Sequence, residues 1–386
     1  MRSAHRLSIL LAGDYPDDPR LGSSKVLHKL RDEFTALGHD CDVIWSHEIG
    51  RWPAIRHLRQ LASPWMAARA LSARMDRKKY DVVDAASAEG LFLGLSNMIG
   101  GPDGCVFICR SNGIEHRNYA RMIDDHVHGL MHKPWTRRLW YPATRLSQVA
   151  AAARLADRLI VTNDADRTFA LDRGWQPPDR VALVPHGISD TFLADAPAPD
   201  APRGAGLLFC GTWDHVKGIA YLTAAINQLH AAGHRVPLTV LGPGVPADVV
   251  LASFDVDTRP FVSVIDRAPE ERVMAEYRRH DMLLWTSSYE GFGLVVIEAM
   301  SQRLPVIATP SGFAGTIIQH DETGMLVPFR DASAVVAAVS ELWSNPARRQ
   351  RLGNAGHDAV RGMSWRATAT RTLDEYETAR ADRARR

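Results

Sequence analysis

The sequence predicts an α/β protein made of two doubly wound domains, each a parallel sheet covered by helices on both faces. Three observations carry this expectation. Short apolar runs alternate with segments of helical period along nearly the whole chain, the pattern of a parallel sheet with helical crossovers. A stretch of alanine and proline cuts the chain near its middle. Glycines stand where apolar runs give way to helical period, at the carboxyl ends of strands, where open sheets bind ligands.

In the first half, strands are expected at Leu7–Ala12, Cys41–Trp45, Asp81–Asp84, Cys105–Cys109, Arg158–Thr162 and Arg180–Val184. The second half repeats the series at Gly206–Cys210, Pro237–Leu241, Phe261–Val264, Met282–Thr286 and Pro305–Ala308. Each is short and nearly continuous in apolar character, as strands buried on both faces are. Between them apolar residues recur every three or four positions, as at Ile219, Leu222, Ile226 and Leu229, the spacing of one helix face. The first helix should stop at Leu37-Gly38-His39, with glycine just past its end. Ala194–Gly204 holds three prolines among alanines and can neither be a helix nor pair in a central strand. It reads as a linker at 194–204 between a domain at 1–193 and one at 205–365. The segment 366–386 is rich in arginine and ends without an apolar face, so a surface helix that frays at its end is expected there.

At 386 residues the chain is long enough for two or three domains. Lys plus Arg is 46 and Asp plus Glu is 44, a formal net charge of +2. That balance excludes a chain-wide electrostatic grip on nucleic acid. The four cysteines, at 41, 105, 109 and 210, give neither a disulfide framework nor a paired zinc motif. A reducing, cytoplasmic setting is expected. The first apolar run is too short for a signal peptide, and no stretch is long enough to span a membrane.

The richest strand-to-helix junction is Thr286-Ser-Ser-Tyr-Glu-Gly-Phe-Gly-Leu-Val-Val-Ile-Glu-Ala-Met300. Gly291 and Gly293 let backbone approach a ligand, and the free amides of the helix's first turn suit a phosphate. Glu290 in the loop and Glu298 one turn into the helix could accept hydroxyls at opposite ends of one ligand. A lone glutamate on a helix is ordinarily solvated surface; the pattern as a whole says more. Glu290-x7-Glu298 around Gly-Phe-Gly, with Tyr277–Asp281 upstream and Ala299–Thr309 and His320–Pro328 downstream, resembles the signature of retaining nucleotide-sugar glycosyltransferases of the family 4 type. The resemblance is close over 206–365 and looser over 1–190. It implies the GT-B arrangement, two facing Rossmann-like domains with a donor cleft between them, the N-terminal one on the acceptor side. It also implies that Glu290 contacts hydroxyls of the donor sugar, that Glu298 binds the ribose, and that the amides of Gly291, Phe292, Gly293, Leu294 and Val295 face the diphosphate.

A second junction is Phe209-Cys-Gly-Thr-Trp-Asp-His-Val-Lys-Gly218. A lysine at the positive end of a helix dipole is disfavoured unless an anion is there, and Lys217 could neutralise a diphosphate as a point charge. The family has arginine and lysine in this turn. Lys217 and Gly218 match, Gly211 precedes the turn, and Thr212 stands where the arginine is expected. In the N-terminal half, Arg20-Leu-Gly22-Ser-Ser-Lys25 resembles the family's glycine-rich donor loop, and equally reads as an ordinary helix entrance capped by serine. Arg110-Ser-Asn-Gly-Ile-Glu-His116 should open toward the donor. Family members often have a histidine where this chain has Asn112, which cannot be a base near neutral pH but can donate to a sugar hydroxyl. His116 faces either the same pocket or solvent. The resemblance also implies that the leaving phosphate oxygen takes the acceptor's proton, so retaining transfer depends little on an enzyme base.

Other features read as structural. Cys105 and Cys109 are buried thiols of a strand, and His116, His126, His128 and His132 lack a spacing that would fix a metal. His186, in Val184-Pro-His-Gly-Ile188, is a turn residue. The segment Arg51–Lys79 sets Arg51, Arg56, Arg59, Arg69, Arg74, Arg77, Lys78 and Lys79 against Asp76, interleaved with Trp52, Ile55, Leu58, Leu61, Trp65, Met66 and Leu71. Such a helix can lie on an anionic membrane surface or cover the sheet while its arginines snorkel.

The reading is a retaining hexosyltransferase that moves sugar from a nucleotide diphosphate sugar to a glycan or lipid-linked hydroxyl acceptor, in cell-envelope or exopolysaccharide assembly. Catalysis is expected from Lys217 and Glu290, with Asn112 and His116 beside the reacting sugar. The donor should be held by Gly22, Gly211, Thr212, Lys217, Gly218, Gly291 to Val295 and Glu298. No metal or cofactor is expected, because no Asp-x-Asp pair ends a strand. The enzyme should be cytoplasmic, with peripheral contact at the inner membrane face through 51–79. A nucleotide-sugar epimerase of the same architecture, or a non-catalytic donor-binding subunit, are the alternatives.

Overall fold

The computed structural model describes residues 6–19, 21–50, 56–100, 105–131 and 135–385, and the side chains at 56, 57, 135 and 136 are outside that description. Arg20, Arg51, Trp52, Ile55 and His132, named above, fall outside it too. The chain divides into two compact units, 1–187 with 365–386, and 188–364.

In the first unit β1 (Ser8–Ala12), β2 (Asp40–Ile44), β3 (Val82–Ala86), β4 (Val106–Arg110), β5 (Arg158–Val161) and β6 (Val181–Leu183) form one sheet. Its order is β2-β1-β3-β4-β5-β6, parallel throughout. Leu10, Val83, Phe107, Leu159 and Val161 are fully buried in one core beneath the helices. Strands with both faces covered are largely apolar, and every one of these six lies within two residues of its expected bounds. The helix Gly22–Ala36 ends as expected, with Gly38 at φ +91°.

In the second unit β7 (Leu207–Cys210), β8 (Leu238–Leu241), β9 (Val262–Ile265), β10 (Met282–Trp285), β11 (Val306–Ala308) and β12 (Met325–Leu326) give the order β12-β11-β10-β7-β8-β9. Counted from β7, this is the strand order of dinucleotide-binding sheets. Successive residues serve opposite faces: Leu207, Phe209, Leu238 and Val240 enter one core, and Leu208, Leu241, Leu283 and Trp285 the other. The two-residue edge strand β12 has no expectation in the sequence, because so short a run carries no period.

Two boundaries differ from the expected ones. The alanine–proline stretch 194–204 is part of the second unit rather than a free linker. Arg203 anchors it, donating to the carbonyls of Tyr277, Arg278, His280 and Gln302 at 2.7, 2.9, 3.0 and 2.5 Å. A cation at helix carbonyl ends is favourable, and the amides of Gly204 and Ala205 add bonds to Arg279. The helix Trp365–Ala384 is likewise not a surface helix. It belongs to the first unit and buries Trp365, Thr368, Ala369, Thr372, Tyr376 and Ala379. Tyr376 Oη donates to Asp84 at 2.5 Å, and Arg110 binds the same carboxylate through Nε at 2.9 Å and Nη2 at 2.6 Å. Arg110 and Asp84 are both 1% exposed, so Arg110 closes a buried ion pair and does not open outward. The helix hides because its inward face is threonine, alanine and tyrosine, which hydropathy does not distinguish from surface.

Candidate functional site

In the second unit the sheet changes direction between β7 and β10, and a crevice outside the carboxyl ends of such a strand pair is where ligands bind. The turns leaving these two strands are bonded together. The amide of Ser288 donates to the Val216 carbonyl at 2.8 Å, Ser287 Oγ lies 3.1 Å from the same carbonyl, and Thr286 Oγ1 donates to the Lys217 carbonyl at 2.9 Å. Gly218 makes that approach possible: at φ +69°, a Cβ there would lie 2.0 Å from the Thr286 carbonyl oxygen. Gly293, at φ +92°, caps the helix Leu294–Ser301 beside the Trp285 indole.

This stitching joins the two expected catalytic groups of this half. Lys217 Nζ stands 2.5 Å from Glu290 Oε1 and 5.0 Å from the Trp285 ring centroid. Ser287 Oγ donates to the same Glu290 oxygen at 2.6 Å. Lys217 is therefore not a free cation in a helix's first turn. It ends the short turn His215–Lys217, before the helix Ile219–Ala231, paired and largely shielded. Glu298 lies inside the helix Leu294–Ser301, 8% exposed, with Tyr277 Oη 3.5 Å from its Oε2. Burial, then the nearby Cys210 and Glu298, push the Tyr277 phenol well above its ordinary range, so it remains a donor. Phe292 is buried and stacked on Phe313 at 4.7 Å, while Gly291, Leu294 and Val295 are partly exposed and Thr212 is exposed.

The first unit has its own strand reversal, between β1 and β3. There the turns after β1, β3 and β4 line a polar cavity of about 420 Å³ that includes Tyr15, Ser23, Glu89, Asn112, Glu115 and Arg145. Asn112 lines this cavity, with the Tyr15 hydroxyl in reach. His116 is not: its ring is 4.9 Å from Trp175 and 5.9 Å from Phe169, and burial, then Arg173, push it down to about 4. An imidazole in an aromatic wall is a packing group, so its expected catalytic placement is corrected. Gly22 opens the helix after Leu21, with no side-chain cap. The expected serine cap is absent; Ser24 Oγ bonds the Pro16 carbonyl at 2.7 Å instead.

Glu89, Glu115 and Arg145 have no expected role in the sequence. Arg145 comes from a π-helical turn, Pro142–Leu146, a feature frequent at functional sites. Its Nη2 is 2.7 Å from Glu115 Oε1 and 3.4 Å from Glu89 Oε1. Ser87 donates to Glu115 at 2.6 Å and holds φ +54°, a strained conformation for a residue other than glycine. Each side chain stands alone in sequence, without a motif. Among the described residues no cluster of three His, Cys, Asp or Glu could hold a metal.

Comparison with solved structures defines the fold. The sucrose-phosphate synthase from Thermosynechococcus elongatus matches over 98% of this chain and 100% of its own, with a TM-score of 0.79 at 21% identity. Anabaena HepE, solved with UDP and glucose, matches over 97% and 100%, with a TM-score of 0.68 at 15% identity. The fold is GT-B, two Rossmann-like domains. Residues 201–359 match the family model of glycosyl transferases group 1, and residues 21–192 that of Glycosyltransferase Family 4. The chain is thus similar to group 1 glycosyltransferases over most of its second unit and to Glycosyltransferase Family 4 over most of its first. The D-inositol 3-phosphate glycosyltransferase of Kineococcus radiotolerans is 30% identical over 272 residues, 63% of this chain. That match spans 62% of the relative's length.

Proposed function

We propose that the chain is a retaining glycosyltransferase that moves a sugar from a nucleotide diphosphate sugar to a hydroxyl acceptor, in assembly of a cell-envelope or extracellular glycan. The observation that carries this reading is the Lys217–Glu290 pair, 2.5 Å apart, at the strand reversal of the second sheet. A cation and a carboxylate held together beside helix amides match a ligand with a phosphate at one end and hydroxyls at the other. In this reading Lys217 neutralises the departing diphosphate, helped by the amides from Gly291 to Val295 and the turn Gly211–Gly218. Glu290 orients donor-sugar hydroxyls, and Glu298 accepts from the ribose. The acceptor oxygen bonds to the anomeric carbon as the bond to phosphate breaks, and the proton passes to the leaving phosphate oxygen. Asn112 donates to a sugar hydroxyl. No metal takes part.

The acceptor is proposed to be a glycan or a lipid-linked sugar met at an anionic membrane surface. On the helix Arg56–Met75 the apolar residues divide: Met66 and Leu71 are buried, while Leu58, Leu61 and Trp65 are exposed. Phe92, Leu95, Met98 and Ile99, on and just after the helix Leu91–Met98, are exposed as well. Arg74 pairs with Glu48, and Lys78 with Asp40 and Asp42, so apolar contact would outweigh charge. No helix among the described residues is long and apolar enough to cross a membrane. The test of the main reading is a thermal-shift screen with UDP, GDP, ADP and their sugars, followed by turnover of the purified chain with the donor it selects. Stabilisation by none of them would defeat the reading. Nucleotide binding without turnover across an acceptor panel would favour a donor-binding subunit. Isomerised sugar formed without acceptor would favour an epimerase.

A further inference from the structure

The polar cavity of the first unit carries a preference among acceptors. Its lining holds three carboxylates, Asp14, Glu89 and Glu115, and two guanidiniums, Arg59 and Arg145. Arg145, 9% exposed, is already engaged: its Nε reaches both Glu115 oxygens at 3.1 Å, and its Nη2 reaches Glu115 and Glu89. With three carboxylates against two guanidiniums the lining is net negative, and Arg145 is taken, so an entering phosphate would meet those carboxylates with Arg59 as the one cation left to offset them, and like charges in such a setting repel strongly.

Among the described residues Glu89 and Arg145 each keep one buried polar atom without a protein partner, and both side-chain polar atoms of Asn112 in the same lining lack one too. Glu89 is 2% exposed, and its Oε2 accepts from no group, while the buried Nη1 of Arg145 donates to none. Burial, eased by Arg145, raises the Glu89 pKa. A buried polar atom left unpaired is costly, and a hydroxyl, both donor and acceptor, can satisfy an oxygen and a guanidinium N–H together. Neutral side chains of Gln60, Ser63, Ser111 and Asn118 surround the pair. The cavity volume, about 420 Å³, falls within the roughly 300–1,000 Å³ of small-molecule sites.

We propose that this cavity selects a neutral, hydroxyl-rich acceptor and rejects its phosphorylated counterpart, with Glu89 and Arg145 as the residues that make the choice. The inference rests on the glycosyltransferase reading for the word acceptor; the ligand class rests on the cavity alone. It sets this chain apart from relatives whose names carry a phosphate, the D-inositol 3-phosphate glycosyltransferase and the sucrose-phosphate synthase.

The experiment is saturation-transfer NMR of the full chain titrated with glucose, myo-inositol, glucose 6-phosphate and glucosamine, with UDP and GDP thermal shifts on the same samples. Glucose or myo-inositol should bind at least about tenfold more tightly than glucose 6-phosphate, and Glu89→Gln should weaken the neutral ligands about tenfold. Glu89→Lys should reverse the order. Tighter binding of glucose 6-phosphate to the unaltered chain, or of glucosamine than glucose, would overturn the proposal without need of any variant. Neutral-sugar binding that Glu89→Gln leaves unchanged in a folded variant would overturn it too. Sugar binding with no nucleotide response would instead count against the glycosyltransferase reading and leave the cavity's preference standing.

Discussion

Lys217→Ala tests the proposed chemistry most directly, because it should lose stability and rate for separable reasons. The lysine and Glu290 side chains are 18% and 13% exposed. Removing the ammonium leaves the carboxylate bonded to the Ser287 hydroxyl, 2.6 Å away. Breaking a fully buried pair costs about 3–5 kcal/mol, and partial exposure brings the expectation here to about 2 kcal/mol. The proposed transition-state charge adds a kinetic loss of about 3 kcal/mol, or about a hundredfold in turnover. Adding Glu290→Gln removes the stranded charge, so the double variant should regain most of the stability. It should regain none of the rate. Urea unfolding and release of nucleoside diphosphate from the selected donor give the two readouts. Near-normal turnover of Lys217→Ala, or recovery of turnover in the double variant, would refute the role given to Lys217.

Glu298→Gln should weaken nucleoside diphosphate binding by about 1.5–3 kcal/mol, the worth of a hydrogen bond to a charged group; calorimetry with the bare diphosphate measures it, and unchanged affinity would remove Glu298 from the site. Tyr376→Phe deletes the donor 2.5 Å from buried Asp84 and should destabilise the first unit by about 1.5–3 kcal/mol, seen in thermal unfolding with nucleotide binding preserved. Leu61→Ser with Trp65→Ser should release the chain from anionic vesicles in co-sedimentation without lowering its melting temperature, since both side chains are nearly half exposed; an unaltered chain that stays in the supernatant would leave those residues as plain surface.

The sheets and the Glu290–Glu298 loop were legible for physical reasons. Parallel strands such as Leu207–Cys210 and Met282–Trp285 are apolar on both faces and stand out against helical period. Glu290 and Glu298 lie in one contiguous segment, so a single stretch of sequence displays them. The Lys217–Glu290 contact was not legible, because it depends on β7 and β10 being neighbours. Nor was the first unit's cavity, whose carboxylates and guanidinium come from separate turns, each carrying an ordinary residue. The helix Trp365–Ala384 misled the reading because its packed face includes Thr368 and Thr372. His116 misled it in the opposite direction, a chemically able side chain placed among aromatic rings.

That last helix has a bearing on how the protein is made. The first unit takes its strands from residues 8–183 and its closing helix from 365–384, with all of 188–364 translated in between. A nascent chain that has just emitted β6 exposes Asp84 and Arg110 without the tyrosine that covers them, and must wait while another domain emerges from the ribosome. Recombinant fragments cut after the first sheet would carry the same defect permanently. A circular permutant that moves 365–385 ahead of residue 6 would let the first unit close as it is synthesised.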